Sequence, residues 1–153
     1  MVNTGDQAPA FELPTNGDGS LKVPTGKPLV LFFYPKDDTP GCTTEAKGFS
    51  ALKDEFGALG VDLIGLSPDK VAKHDKFITK HDLTVTLVSD EEHAALEAYG
   101  VWVEKSMYGK TYMGVERSTF LISGDGVILK AWRKVKVKGH VEAVLDAAQQ
   151  HFG

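Results

Sequence analysis

The sequence predicts an α/β domain built on a central mixed β-sheet flanked by helices, and three observations predict it. Apolar runs at residues 29–33, 61–66 and 85–88 alternate with stretches of helical periodicity, the rhythm of parallel strands joined by right-handed crossovers. Residues 117–122 and 127–132, both β-rich, surround Ser123-Gly124-Asp125-Gly126 and add an antiparallel hairpin. Val141, Val144, Leu145, Ala148 and Phe152 then form one stripe, which gives a C-terminal helix for a face of the sheet.

Taken in order, residues 5–14 carry Pro9 and Pro14 with little periodicity, so they form an extended arm with a short edge strand around residues 11–13. Asn16-Gly17-Asp18-Gly19-Ser20 is a hairpin tip that tolerates positive φ. No Gly-Lys-Ser/Thr helix start follows, so these glycines do not make a phosphate loop. The run from Leu29 to Phe33 is continuously apolar and closed by Pro35, which suits a strand buried on both faces in the middle of the sheet. Pro35 and Pro40-Gly41 cannot continue a ladder, so the chain turns and delivers Cys42 past the strand's carboxyl end. In open α/β sheets that edge is where chemistry collects.

From Thr43 the pattern is helical, with Ala46, Phe49, Leu52, Phe56 and Leu59 on one face. Cys42 therefore stands at or beside a helix N-terminus, where unpaired N–H groups and the macrodipole favour a thiolate. After the strand at 61–66, Ser67-Pro68-Asp69 reads as a cap and helix start. That helix runs to about His81, with Val71, His74, Phe77 and Ile78 inward. Beyond the strand at 85–88, the acids of Ser89-Asp90-Glu91-Glu92 open a short helix through Leu96 and Tyr99. Residues 100–114 carry Trp102, Met107, Tyr108, Tyr112 and Met113 among glycines and lysines. They break the rhythm as a long loop or irregular extension whose aromatic residues are expected to pack on the sheet. The other reading is a surface that receives an apolar substrate tail.

At 153 residues the chain forms one domain, 1–153, with no internal repeat. A net charge of −4 with both signs dispersed gives no footprint for nucleic acid. Lys130, Arg133, Lys134, Lys136 and Lys138 are the one basic run, and their alternation with Val135 and Val137 reads as a face of an exposed strand or its extension. No segment has the ~20 apolar residues of a membrane span, and the opening residues lack a signal pattern, so a cytoplasmic protein is expected. The single cysteine cannot close an intrachain disulfide, which fits a reducing compartment.

Among candidate sites, the histidines 74, 81, 93, 140 and 151 lack metal-ligand spacing, so no metal and no cofactor is expected. Glu45, in the first helical turn behind Cys42, reads as a dipole complement. Arg117 opens a strand at a sheet end, where a cation beside Cys42 would hold a thiolate. A lone cysteine also serves as a small buried hydrophobe, but the strand-turn-helix placement favours an activated thiol.

The pattern Pro35-x-x-x-Thr39-x-x-Cys42, with Arg117 in Arg-Ser-Thr-Phe-Leu-Ile, resembles the peroxiredoxins. Tyr-Pro-Lys-Asp-Asp-Thr-Pro-Gly-Cys-Thr-Thr-Glu is similar to their bacterioferritin-comigratory, or PrxQ, branch. The likeness extends through Gly-Asp-x-Ala-Pro-x-Phe, Ser67-Pro68-Asp69 and the stretch from Met107 to Gly114, nearly the whole chain. It implies a thioredoxin-like fold and thiol-dependent reduction of hydrogen peroxide and organic hydroperoxides through a cysteine sulfenic acid. Carried over, Cys42 resembles the attacking cysteine, Thr39 the hydroxyl that bonds thiolate and peroxide, Arg117 the neighbouring cation and Pro35 the shielding proline. Many members of the branch carry a resolving cysteine five residues on, where this chain has Lys47. An internal disulfide is then impossible, and the sulfenic acid on Cys42 must be resolved by an external thiol (thioredoxin, glutaredoxin or a low-molecular-weight thiol) or by another subunit's Cys42. A monomer or weak dimer is expected. The rival from another class is a non-catalytic redox sensor that forms mixed disulfides through Cys42.

Overall fold

The computed structural model describes residues 2–153. Met1, part of the opening stretch expected to lack a signal pattern, lies outside the described residues. Nine strands and five helices are present among them: β1 Phe11–Thr15, β2 Gly19–Val23, β3 Leu29–Phe33, α1 Pro40–Ala51, α2 Lys53–Ala58, β4 Asp62–Ser67, α3 Val71–His81, β5 Thr86–Ser89, α4 Ala94–Ala98, β6 Trp102–Met107, β7 Lys110–Val115, β8 Ser118–Ile122, β9 Ile128–Trp132 and α5 His140–Phe152. Seven of the strands form a mixed sheet in the order β2-β1-β5-β4-β3-β8-β9. β3, β4 and β5 run parallel, and β8 returns antiparallel beside β3. This is the mixed sheet expected, with helices packed on it.

Every residue of β3 is buried, because both faces of the sheet are covered. Val30 and Phe32 point into a core with Phe49, Phe56, Phe77 and Val144, while Leu29, Leu31 and Phe33 join Leu66, Leu96, Tyr99 and Phe120 on the other side. Gly65 is required by this packing, since a Cβ there would stand 2.7 Å from the Phe32 ring and 2.9 Å from Leu87 Cδ2.

Four expectations change. The helix after Cys42 begins earlier, at Pro40, and is interrupted at Leu52 (φ −101°, ψ 13°), which separates α1 from α2. α3 starts at Val71 with Lys70 as its cap, not at Ser67-Pro68, because the Ser67 hydroxyl and the Asp69 carboxylate are bonded to each other. Residues 102–115 are not a loop. They form an antiparallel ribbon, β6–β7, whose Tyr108-Gly109 turn has positive φ at both positions, the geometry that suits a two-residue hairpin. The residues at and near its tip do not pack on the sheet: Tyr108 is 97% exposed, and Met107, Tyr112 and Met113 are exposed as well. Finally, β9 ends at Trp132, so of the basic residues only Lys130 lies in a strand. No helix among the described residues is long and apolar enough to cross a membrane.

Candidate active site

Strand register assembles the site. Phe33, the last residue of β3, is paired with Ser118, the first of β8, so Arg117 falls at the carboxyl end of β3, where the chain turns toward α1. Thr39 is the extended N-cap of α1, Pro40 its first residue and Cys42 its third. Proline suits that first position, where an N–H would have no intrahelical partner. Gly41 and Cys42 carry first-turn N–H groups of the kind a helix leaves unpaired.

Arg117 joins the two halves. Its Nη2 donates to Cys42 Sγ at 3.2 Å and its Nη1 to Glu45 Oε1 at 2.8 Å, across sequence separations of 75 and 72 residues. Cys42 is only 2% exposed, and Glu45 is fully buried. Glu45 is therefore the buried anchor of the guanidinium, more than the dipole complement expected; its position one helical turn behind Cys42 was the only signal for this. Burial pushes the Glu45 carboxyl up to about 7, against the pull of Arg117. Its Oε2 has no hydrogen-bond partner and lies 3.9 Å from His140 Nε2. Burial, then the Arg117 charge, holds that imidazole down at about 4, so it is neutral at pH 7 and bonded to the Thr119 hydroxyl at 2.8 Å.

Thr39 is placed differently from the expectation. Its hydroxyl donates to Lys36 O at 2.9 Å and is not bonded to Cys42. With its proton committed to a carbonyl, the oxygen offers lone pairs and acts as an acceptor, not a donor. Pro35 is half-buried, directly after Tyr34 at the start of the loop that leads to Cys42.

Sequence patterns did not reveal what holds that loop. Asp37 is buried in it, accepting the Tyr34 hydroxyl at 2.6 Å on Oδ1 and bonding His74 Nδ1 at 2.6 Å on Oδ2. His74 Nε2 is 2.9 Å from Val88 O, and a carbonyl only accepts, so Nε2 carries a proton and Asp37 and His74 share another. The Asp37 N–H donates to Asp69 Oδ2 at 2.7 Å, which ties the loop to the Ser67–Asp69 turn. Asp37, Asp69 and His74 lie close enough together to hold an ion, but both ring nitrogens and all four carboxylate oxygens are engaged within the protein. Next along the loop, Asp38 adopts φ +62° and receives Lys80 Nζ at 2.6 Å and His81 Nε2 at 2.7 Å, bonds that hold its carboxyl below the ordinary range.

The sequence and the fold, which is thioredoxin-like, match known proteins. The model of the AhpC/TSA family matches residues 4–131. Peroxiredoxin Bcp of Bacillus subtilis is 49% identical over 147 residues, covering 95% of this chain and 94% of the relative. Peroxiredoxin Bcp of Xanthomonas campestris is 48% identical over 148 residues, covering 94% and 92%. A solved cysteine-to-serine mutant of Xylella fastidiosa PrxQ superposes with a TM-score of 0.93 at 39% identity, covering 99% and 98%. The Xanthomonas campestris bacterioferritin comigratory protein, solved with trapped intermediates and ligands bearing on alkyl peroxide reduction, gives 0.89 at 46% identity, covering 94% and 92%.

Proposed function

Because the chain belongs to the AhpC/TSA family, in its Bcp/PrxQ branch, and is a thiol peroxidase, we propose that Cys42 is its nucleophile, Arg117 and Thr39 its peroxide-orienting groups and Pro35 part of the shield around them. The observation that carries this is the Arg117 guanidinium bonded to Cys42 Sγ. The Cys42 thiolate attacks the terminal peroxide oxygen; the S–O bond forms, the O–O bond breaks, and the leaving alkoxide or hydroxide takes up a proton. Negative charge moves from sulfur to the leaving oxygen, and Arg117 with the first-turn N–H groups lies on that path. Thr39, an acceptor, takes the hydrogen of the peroxide's O–H and turns its far oxygen toward the cation.

With one cysteine in the chain, the sulfenic acid is resolved by an outside thiol. We place the reaction in the cytoplasm of the cell, in a single-domain monomer or weak dimer, since a lone thiol suits a reducing compartment. Turnover of a hydroperoxide against a panel of thiols, with Cys42→Ser as the blank, tests the whole reading. Excess peroxide without thiol is expected to drive Cys42 on to the sulfinic acid, visible as two added oxygens in the intact mass. Unmodified protein in that spectrum would overturn the assignment.

Glu45 adds a pH dependence. Above about pH 7 its carboxyl ionises and neutralises part of the Arg117 charge; below, the guanidinium acts at full strength. Glu45→Gln keeps an acceptor for Nη1 and cannot ionise. The peroxide rate of this variant, divided by that of the parent, is therefore expected to rise between pH 6 and 8 in stopped-flow measurements. A constant ratio would show that Glu45 does not titrate there.

A further inference from the structure

The loop between β9 and α5 reads Arg133-Lys134-Val135-Lys136-Val137-Lys138. Lys134, Lys136 and Lys138 are exposed, while Val135 and Val137 are half-buried, in a loop that bends at Lys134 (φ +48°) and turns at 137–140, where His140 N donates to Val137 O at 3.0 Å. Two contacts fix this segment to the site. Val135 N donates to Arg117 O at 2.9 Å. Val137 Cγ2 lies 4.0 Å from the position a Cβ on Gly41 would take, beside Cys42. The valines thus hold the loop to Arg117 and Gly41, the residues on either side of the thiol, and the lysines between and beside them are exposed. Exposed Lys36, in the loop before Cys42, adds a further cation. Arg133 is drawn away, donating to Val2 O at 2.7 Å. Of the nearby acids, Glu45 and Asp38 are already paired with cations, which leaves Glu116 and Glu142 against the lysines.

Resting on the assignment of Cys42 as a nucleophile resolved from outside, we infer that loop 133–138 makes the mouth of the site a docking rim for a small carboxylate-bearing thiol, the reductant that regenerates the enzyme. Cys42 is 2% exposed with Arg117 against its sulfur, so a small molecule can bring its own sulfur in and leave its carboxylates outside at the lysines. A globular partner would have to present a protruding cysteine. In the resolving step the thiolate attacks the sulfenic sulfur; the S–S bond forms, the S–O bond breaks, and hydroxide leaves to become water. A second thiolate attacks the outer sulfur, releasing the small disulfide and the Cys42 thiolate. Two thiols thereby supply the two electrons the peroxide removed.

The sign of the charge effect separates this from a generic surface. A lysine ~10 Å from an incoming unit charge changes its local concentration about two-fold in water, so three give about eight-fold, in opposite directions for anion and cation. Most of this disappears in ~0.5 M salt. The net charge of −4 alone would do the reverse and repel anionic thiols.

The test converts Cys42 to its sulfenic acid with equimolar hydrogen peroxide, then times its reduction by mercaptopropionate, mercaptoethanol and cysteamine, each rate divided by the probe's thiolate fraction. Mercaptopropionate is expected to outrun cysteamine at least about ten-fold at low salt, with the gap closing at high salt. Lys134→Gln, Lys136→Gln and Lys138→Gln combined should remove most of the gap. Equal rates for the three probes, or a mercaptopropionate rate that rises with salt, would overturn the inference. So would a dithiol protein such as thioredoxin that outruns mercaptopropionate at equal concentration and is untouched by the triple variant. Failure of the sulfenic acid to form is seen before any thiol is added and strikes the assignment of Cys42 instead.

Discussion

Arg117→Lys is expected to slow the reaction of Cys42 with hydroperoxide by about two to three orders of magnitude, the usual loss when one preorganised donor leaves a developing oxyanion. Supply of thiolate cannot account for a loss of that size. A thiol lowered from about 8.5 to about 6 gains roughly thirty-fold in thiolate at neutral pH. It loses roughly ten-fold in nucleophilicity if the Brønsted slope of thiol exchange applies. The guanidinium matters because its fork serves two acceptors at once: Nη1 is fixed on Glu45 Oε1 while Nη2 faces the sulfur. An ammonium keeps the charge but not that fixed plane. Stopped-flow rates, set beside thiolate fractions from ultraviolet absorbance, check this. A variant whose rate merely follows its thiolate fraction would refute it.

Asp37→Ala should cost about 3–5 kcal/mol of folding stability, because it leaves two buried groups, His74 Nδ1 and the Tyr34 hydroxyl, without a partner at roughly 1–3 kcal/mol each. The side chains of Asp37 and His74 are both fully buried. Against a typical total of ~5–15 kcal/mol this is a large share. Urea midpoints would report it, and the combination with His74→Leu should cost less than the sum of the single changes, because both break one interaction. Additive costs would mean that the two side chains stabilise the protein independently.

The sheet could be read from the sequence because local rules agree with the fold: β3 is apolar at every position as a central strand must be, and Ser123–Gly126 is a turn before anything else is known. Cys42 was legible for the same reason, since proline and glycine dictate where α1 starts. Arg117 was legible as a strand-opening cation at a sheet end, where it could stand beside Cys42, and the family pattern pointed to the same pair. What stayed hidden was long-range polar pairing. His74 occupies an inward helical position that an apolar side chain would also suit, and nothing local reveals that Asp37 waits for it 37 residues upstream. The ribbon β6–β7 is hard to read because its alternation is diluted by lysine and glycine, and of its aromatic residues Trp102 packs against the core as expected while Tyr108 and Tyr112 lie in the open.

The pairing of Phe33 with Ser118 has a consequence for the time course of synthesis. Cys42 leaves the ribosome 75 residues ahead of the arginine that serves it, an interval of ~4–15 s at ordinary elongation rates. Until β8 has been made and laid beside β3, the nascent chain carries a cysteine without its cation. Oxidative chemistry is thereby deferred until the sheet is nearly whole, and a truncated or misregistered chain carries an ordinary thiol in place of an armed one.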